Sequence, residues 1–159
     1  MKKTLILISV LAALALLFSC ASQPAAEEAS QPAVQSIAPQ TPVEEALVTA
    51  YERYASGLIL EGATTYTVRS GDTLARIGSS LYHNGLFYPI IMMASRDVVL
   101  DPDRITPGMV LTVPDLERNL ASIGAREAIR SFLREIAVIE EQRNRGDTAR
   151  GIRDLADSL

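Results

Sequence analysis

The sequence predicts an α+β fold: one small strand-helix-helix-strand domain over residues 64–114, an amphipathic helix before it and a helical hairpin after it. Three observations predict it. Apolar residues two apart, Tyr66 with Val68 and Leu111 with Val113, mark a short strand at each end of the domain. Between them Leu74, Ile77 and Leu81, then Ile90, Ile91 and Ala94, recur at helical spacing. The same spacing recurs outside the domain, in Val43, Leu47, Tyr51, Tyr54 and Leu58 before it and in Ile129, Phe132, Leu133, Ile136 and Ile139 after it.

The chain opens Met1-Lys2-Lys3, continues with an apolar run from Leu5 to Phe18 and reaches Ser19-Cys20, the layout of a secretory signal over residues 1–19. The run is short for a membrane span. Leu17-Phe18-Ser19-Cys20 resembles a bacterial lipobox, which implies cleavage before Cys20 and acylation of its thiol; a plain secreted protein and a retained anchor are the alternatives. Several acyl chains give lasting membrane attachment. Residues 20–40 are rich in Ala, Ser, Gln, Pro and Glu and bury too little apolar surface to order, so they read as a tether. A flexible coil of that length reaches roughly 25 Å, a fully extended one about 60 Å.

Residues 41–60 begin with a helix start: Thr41 as cap, Pro42 at the first helical position and Glu44 completing a capping box. Gly57 marks the end, and Leu58-Ile59-Leu60 reads as an extended lead-in. Within the domain, Gly71 supplies a bend and Asp72 is placed as the cap of the first helix, which Asn84-Gly85 stops. The second helix begins at Pro89, and a polar connection containing Pro102 leads to the Pro107-Gly108 turn and the closing strand. Two strands alone are marginal, so the helices must cover one face of the sheet.

Beyond Pro114, residues 115–159 read as helical: Leu116, Leu120 and Ile123 in a short helix, a pattern weakened at Gly124, then a long helix, a break at Gly146-Asp147 and a last helix carrying Ile152, Leu155, Ala156 and Leu159. The hairpin resembles a single tetratricopeptide unit. One unit makes no repeat stack, so its expected role is to cover the small domain's core or to bind a partner.

Tyr66-Thr67-Val68-Arg69-Ser70-Gly71-Asp72-Thr73-Leu74, then Asp101-Pro102-Asp103-Arg104-Ile105-Thr106-Pro107-Gly108 and Leu111-Thr112-Val113-Pro114, together resemble the lysin motif, LysM. The resemblance implies a βααβ fold and the binding of glycans containing N-acetylglucosamine, mostly peptidoglycan, in a shallow groove between the first strand-helix loop and the second helix-strand loop. It places Gly71 and Gly108 where the backbone approaches the sugar, with Asp72, Thr73 and Leu74 on one side and Arg104, Ile105, Thr106 and Pro107 on the other. Taken alone, Asp72 reads as a cap, Leu74 as core and Pro107-Gly108 as a turn, which leaves Thr73, Arg104, Ile105 and Thr106 as the contacts. Two positions depart from the family's pattern: Ala75 stands where many members carry an aromatic residue, and Ser95 where many carry Asn. The first predicts a thinner sugar-stacking surface, the second a looser loop.

Composition narrows the function. Removal of the signal takes both lysines with it, leaving thirteen arginines against nineteen acidic residues, about −6 at pH 7. Nucleic acid is not an expected partner. The single histidine, His83, sits at a helix end and reads as surface or cap, and with one cysteine it makes neither a catalytic triad nor a zinc site. Glu135, Glu140 and Glu141 read as a solvated helix face, as do Arg126, Arg130 and Arg134. The expectation is a non-enzymatic, lipid-anchored envelope protein without cofactor or metal. It binds peptidoglycan or N-acetylglucosamine oligomers, faces the periplasm, and sits on the outer membrane in preference to the inner because Ala21 replaces the retention Asp. The alternative is an envelope scaffold that binds a protein partner through its flanking helices, with a role beside a wall hydrolase third.

Overall fold

The computed structural model describes residues 41–159. The expected signal segment 1–19, lipidation at Cys20 and tether 20–40 lie outside the described residues. The fold is α+β, with one two-stranded antiparallel sheet among six helices in the described residues. None of those helices is long and apolar enough to cross a membrane.

Helix α1 (Pro42–Tyr54) starts on a complete capping box: Thr41 Oγ1 accepts the Glu44 N–H at 3.1 Å, and Glu44 Oε2 accepts the Thr41 N–H at 3.0 Å. It buries Leu47, Ala50 and Tyr51. A 3₁₀ turn, Ala55–Gly57, follows and Leu58 is extended. Gly57 is required by packing, since a Cβ there would lie 2.5 Å from the Ala128 Cβ.

Strands β1 (Thr64–Thr67) and β2 (Val110–Val113) pair with Tyr66 opposite Leu111 and Thr64 opposite Val113. Leu111 and Val113 turn into the core, as does Val68 just beyond β1. The turns next to the strands are laced together: the Val68 N–H donates to Met109 O at 2.8 Å and the Gly108 N–H to Val68 O at 2.9 Å. Gly71 and Gly108, at φ 83° and 93°, occupy the left-handed region open to glycine.

Helix α2 (Leu74–Tyr82) is capped by Thr73, whose Oγ1 accepts the Arg76 N–H at 3.2 Å, and not by Asp72. Asp72 is diverted because Tyr66 and the Arg69 backbone hold its carboxylate in the preceding loop. The helix ends on His83 in the left-handed conformation, φ 57°, one residue before the Asn84-Gly85 stop, and Asn84 caps a 3₁₀ turn, Gly85–Phe87, instead. His83 is exposed, consistent with its reading as a capping residue. Leu74 and Ile77 are buried, but Leu81 is 39% exposed. The reason is where the helices touch: Gly78 lies against the Tyr88 backbone, and Leu81 falls beyond that contact. Tyr82 turns in at that end, its hydroxyl donating to Pro114 O at 2.9 Å and its ring meeting Phe87 edge-on.

Every residue of α3 (Tyr88–Ala94) is buried, with Pro89 in its first turn. Ser95 does not loosen the loop after it. Its Oγ accepts the Thr112 N–H at 2.9 Å and donates to Thr112 O at 3.3 Å, tying the end of α3 to β2. A hydroxyl can both donate and accept, so one short side chain satisfies both groups.

Asp115 caps α4 (Leu116–Ala121) and Ser122 caps α5 (Ile123–Gln142). Gly124 makes no break, because it falls in the first turn of α5, and Ile123 is left 72% exposed. The turn to α6 (Gly146–Ser158) is made by Asn144 at φ 60°, not by Gly146, which is already helical. Phe132 of α5 is fully buried against the rings of Tyr51 and Tyr54, at 5.8 and 6.2 Å between centroids. Ala149, Ile152 and Ala156 of α6 are buried in the same core. The hairpin thus covers the strand-helix-helix-strand unit, each large buried side chain contributing about 1.5–3 kcal/mol.

Candidate functional site

The first loop of the domain is fixed by a carboxylate. Asp72 Oδ2 accepts the Arg69 N–H and the Tyr66 hydroxyl, each at 2.8 Å. The backbone N–H of Arg69, and then the Tyr66 hydroxyl, hold the Asp72 carboxyl below the usual range; the same hydrogen bond raises the Tyr66 phenol. Arg76 donates to the Gly71 carbonyl from the far side of the turn. Thr73 then starts α2 at a defined height, and its O–H proton remains to donate outward.

A cleft of about 140 Å³ opens beside this loop. Thr73, Leu74 and Ala75 form one wall, Pro102 and Asp103 the other, and Tyr88 of α3 lies at the base. The remaining wall comes from outside the domain, from Arg145 and Thr148 at the start of α6. Of the residues placed by sequence, Thr73 and Leu74 line the cleft, Leu74 by the edge of a buried side chain. Gly71 and Asp72 shape the loop leading to it.

The other predicted side, Arg104 to Gly108, sits beyond the cleft in the turn before β2. Arg104 is drawn to α1, its guanidinium 2.8 Å from Glu44 Oε1. Ile105 is half-buried against the core, and the Thr106 N–H faces Met109 Sδ at 3.3 Å. Pro107 and Gly108 form the exposed turn.

Asp103 joins the two halves of the site. Arg145 donates to both of its oxygens, and Arg143 Nη2 lies 2.6 Å from Oδ2 and 2.8 Å from Asp101 Oδ1. Hydrogen bonding from Arg145 holds the Asp103 carboxyl below the usual range and raises the Arg145 guanidinium in return. Behind them sits Glu140, which is 1% exposed and so does not belong to a solvated face. Its Oε1 accepts the Tyr88 hydroxyl at 3.2 Å and its Oε2 lies 3.5 Å from Arg145 Nη1. Burial, then the Glu140 charge, push the Tyr88 phenol up. Glu135 and Glu141 are paired nearer the surface, with Arg53 and Arg153.

The surface offered to a ligand is mixed. Ala75 and Pro102 are apolar, Thr73 and Thr148 bring hydroxyls, and Asp103 with Arg145 forms a balanced ion pair. Such a lining suits a neutral ring with one apolar face and a polar edge. Asp103 is the one carboxylate lining it, whereas glycoside cleavage uses two across the bond. Among the described residues no group of His, Cys, Asp or Glu is arranged to hold a metal.

Sequence reading missed Pro102, Asp103, Tyr88, Arg145 and Thr148. Pro102 and Asp103 carried a signal, since they stand inside the Asp101-to-Gly108 stretch that resembles the motif. Arg145 and Thr148 carried none, because tertiary packing alone brings them to the cleft.

This arrangement, two loops of a βααβ unit flanking a shallow cleft, is that of a small binding module. Residues 66–114 match the family model of the LysM domain, and this stretch of the chain is a LysM domain. LysM domains bind peptidoglycan and chitin-like N-acetylglucosamine glycans, and they are binding rather than catalytic domains. Among curated proteins the chain is 44% identical over 50 residues to the potassium binding protein Kbp of Escherichia coli O6:H1 (strain CFT073), a stretch covering 31% of this chain and 34% of that protein. The chain therefore spans about a third of the length of this relative. No solved structure matches.

Proposed function

We propose that this protein is a non-enzymatic, lipid-anchored component of the bacterial envelope that binds peptidoglycan through its LysM domain. The observation that carries the reading is the cleft between Thr73-Leu74-Ala75 and Pro102-Asp103, which lies between the two loops that bracket the glycan in this family. Cys20 is the attachment point for lipid, and residues 21–40 stand between it and the domain. Its place is the periplasmic face of the envelope, on the outer membrane in preference to the inner. A shallow saccharide site binds weakly alone, but a tethered copy beside a polymer gains effective concentration.

The flanking helices favour this reading over a protein scaffold. α1, α5 and α6 direct their apolar faces inward, and on those helices Ile123 and Val138 are the large apolar side chains left exposed.

Cosedimentation of the full chain with purified peptidoglycan sacculi tests the proposal. The expected result is saturable pelleting that soluble N-acetylglucosamine oligomers compete away. Ala75→Asp, which puts a charge on an exposed cleft wall in the first turn of α2 where an acid is tolerated, is expected to weaken pelleting several-fold without changing the thermal midpoint. Wild-type protein that stays in the supernatant across salt and pH contradicts the proposal.

A further inference from the structure

We infer that the site receives the end of a glycan strand, one terminal sugar ring, and does not let a strand run through it. The inference rests on the glycan-binding reading and concerns how α6 meets the LysM domain.

A polymer lying in a groove between two loops enters at one end and leaves at the other. Here α6 bridges the two walls. At its start Arg145 is paired with Asp103 on the second wall, and Thr148, one turn on, lines the cleft itself. Further along, Gly151 packs against Leu86, a Cβ at that glycine falling 3.1 Å from a Leu86 methyl. Leu86 belongs to the 3₁₀ turn whose Gly85 sits against the Ala75 carbonyl, 2.8 Å from a Cβ built there, and Ala75 belongs to the first wall. The helix therefore spans from the second wall to the support of the first and closes that end of the groove.

The cleft is small, about 140 Å³, and half open to solvent. Thr148 at the closed end offers a hydroxyl to the terminal sugar's own free hydroxyl, a group that an internal unit has lost to the glycosidic bond.

The closure is also held firmly. Arg143 and Arg145 together reach Asp101, Asp103 and Glu140, and Tyr88 reaches Glu140 from below. Networks of this kind hold a geometry better than isolated pairs.

The test is titration of the full chain with N-acetylglucosamine oligomers of one to five units, followed by pentamers blocked at either end: methylated on the non-reducing 4-hydroxyl, or reduced to the alditol at the other. Affinity is expected to level off by the disaccharide. One of the two blocked pentamers is expected to bind at least about tenfold more weakly than the free pentamer. Thr148→Tyr, which fills the closed end from a half-buried position, is expected to lose binding to a similar degree while keeping the wild-type thermal midpoint. Affinity that keeps rising to the pentamer, with both blocked pentamers bound as well as the free one, overturns the inference and leaves glycan binding intact. Wild-type protein that neither binds any oligomer nor pellets with sacculi removes the glycan reading and this inference with it.

Discussion

Arg145, at the start of the last helix, donates to both carboxylate oxygens of Asp103 on the far rim of the cleft, so that the C-terminal hairpin and the second loop of the LysM domain share one ion pair. The relationship makes the hairpin part of the site and links the site's shape to the charge on one carboxyl group.

The first consequence is a pH dependence. The Asp103 carboxyl is depressed below its ordinary value of 3.8, chiefly by its hydrogen bond from Arg145. The stability it contributes is therefore present above the unfolded-state value and is lost as pH falls from about 4 through the depressed one. At pH 7 Asp103→Asn should lower stability by up to about 1 kcal/mol, a modest figure because the pair is half exposed. The gap between wild type and variant should narrow as pH falls below about 4. Urea titrations from pH 2 to 7 check this, and a constant gap across the range would contradict it.

Asn119 is buried and clamps an extended segment from 60 residues away: Oδ1 accepts the Ile59 N–H and Nδ2 donates to Ile59 O, both at 2.8 Å. Asn119→Ala leaves a backbone donor and acceptor without partners. The expected loss is about 2–3 kcal/mol in urea denaturation, with faster amide exchange at Ile59.

Glu44 is 3% exposed and serves two elements, accepting the Thr41 N–H at the start of α1 and Arg104 from the loop before β2. Truncation to Ala removes the Glu44 half of the capping box, leaving the Thr41 cap on the residue-44 N–H in place, and removes one partner of Arg104. A loss of about 1–2 kcal/mol is expected, and Gln, which keeps the acceptor oxygen, should recover part of it.

Ser95→Ala removes both hydrogen bonds to Thr112. The prediction is a loss of about 1 kcal/mol and faster exchange of the Thr112 amide, with glycan affinity within twofold of wild type because Ser95 does not line the cleft. A large loss of affinity in a folded Ser95→Ala protein would place the site nearer β2 than the cleft does.

Much of this fold is written locally. The capping box at Thr41 and Glu44, the apolar pair Leu111/Val113 of the closing strand, and the turn glycines Gly71 and Gly108 are set by neighbours within a few residues and are legible in the sequence, whereas Tyr66 lies in the opening strand and Val68 falls just beyond it. Asp72 and Thr73 are adjacent candidates for one cap. The choice fell to Thr73 because Tyr66, six residues upstream, engages the Asp72 carboxylate. Glu140 lies in a helix of alternating charge that looks like any solvated face, and the Tyr88 hydroxyl together with Arg143 and Arg145 accounts for its burial. The cleft was legible by halves. Thr73 and Leu74 followed from the motif, but the opposite wall lies at Pro102 and Asp103, inside the matched stretch and immediately before the residues chosen as contacts, and Arg145 and Thr148 come from a helix that no spacing connects to the motif.

The most direct test of the central claim, that the glycan occupies the cleft between Thr73-Leu74-Ala75 and Pro102-Asp103, is amide chemical-shift mapping of the isotopically labelled chain during titration with an N-acetylglucosamine tetramer. The account predicts saturable shifts centred on Thr73, Ala75, Asp103 and Thr148, with little change at Thr106, Gly108 or the exposed face of α5. Shifts centred on Arg104 to Gly108 with none at Asp103 or Thr148, or no shifts at saturating glycan, would contradict it.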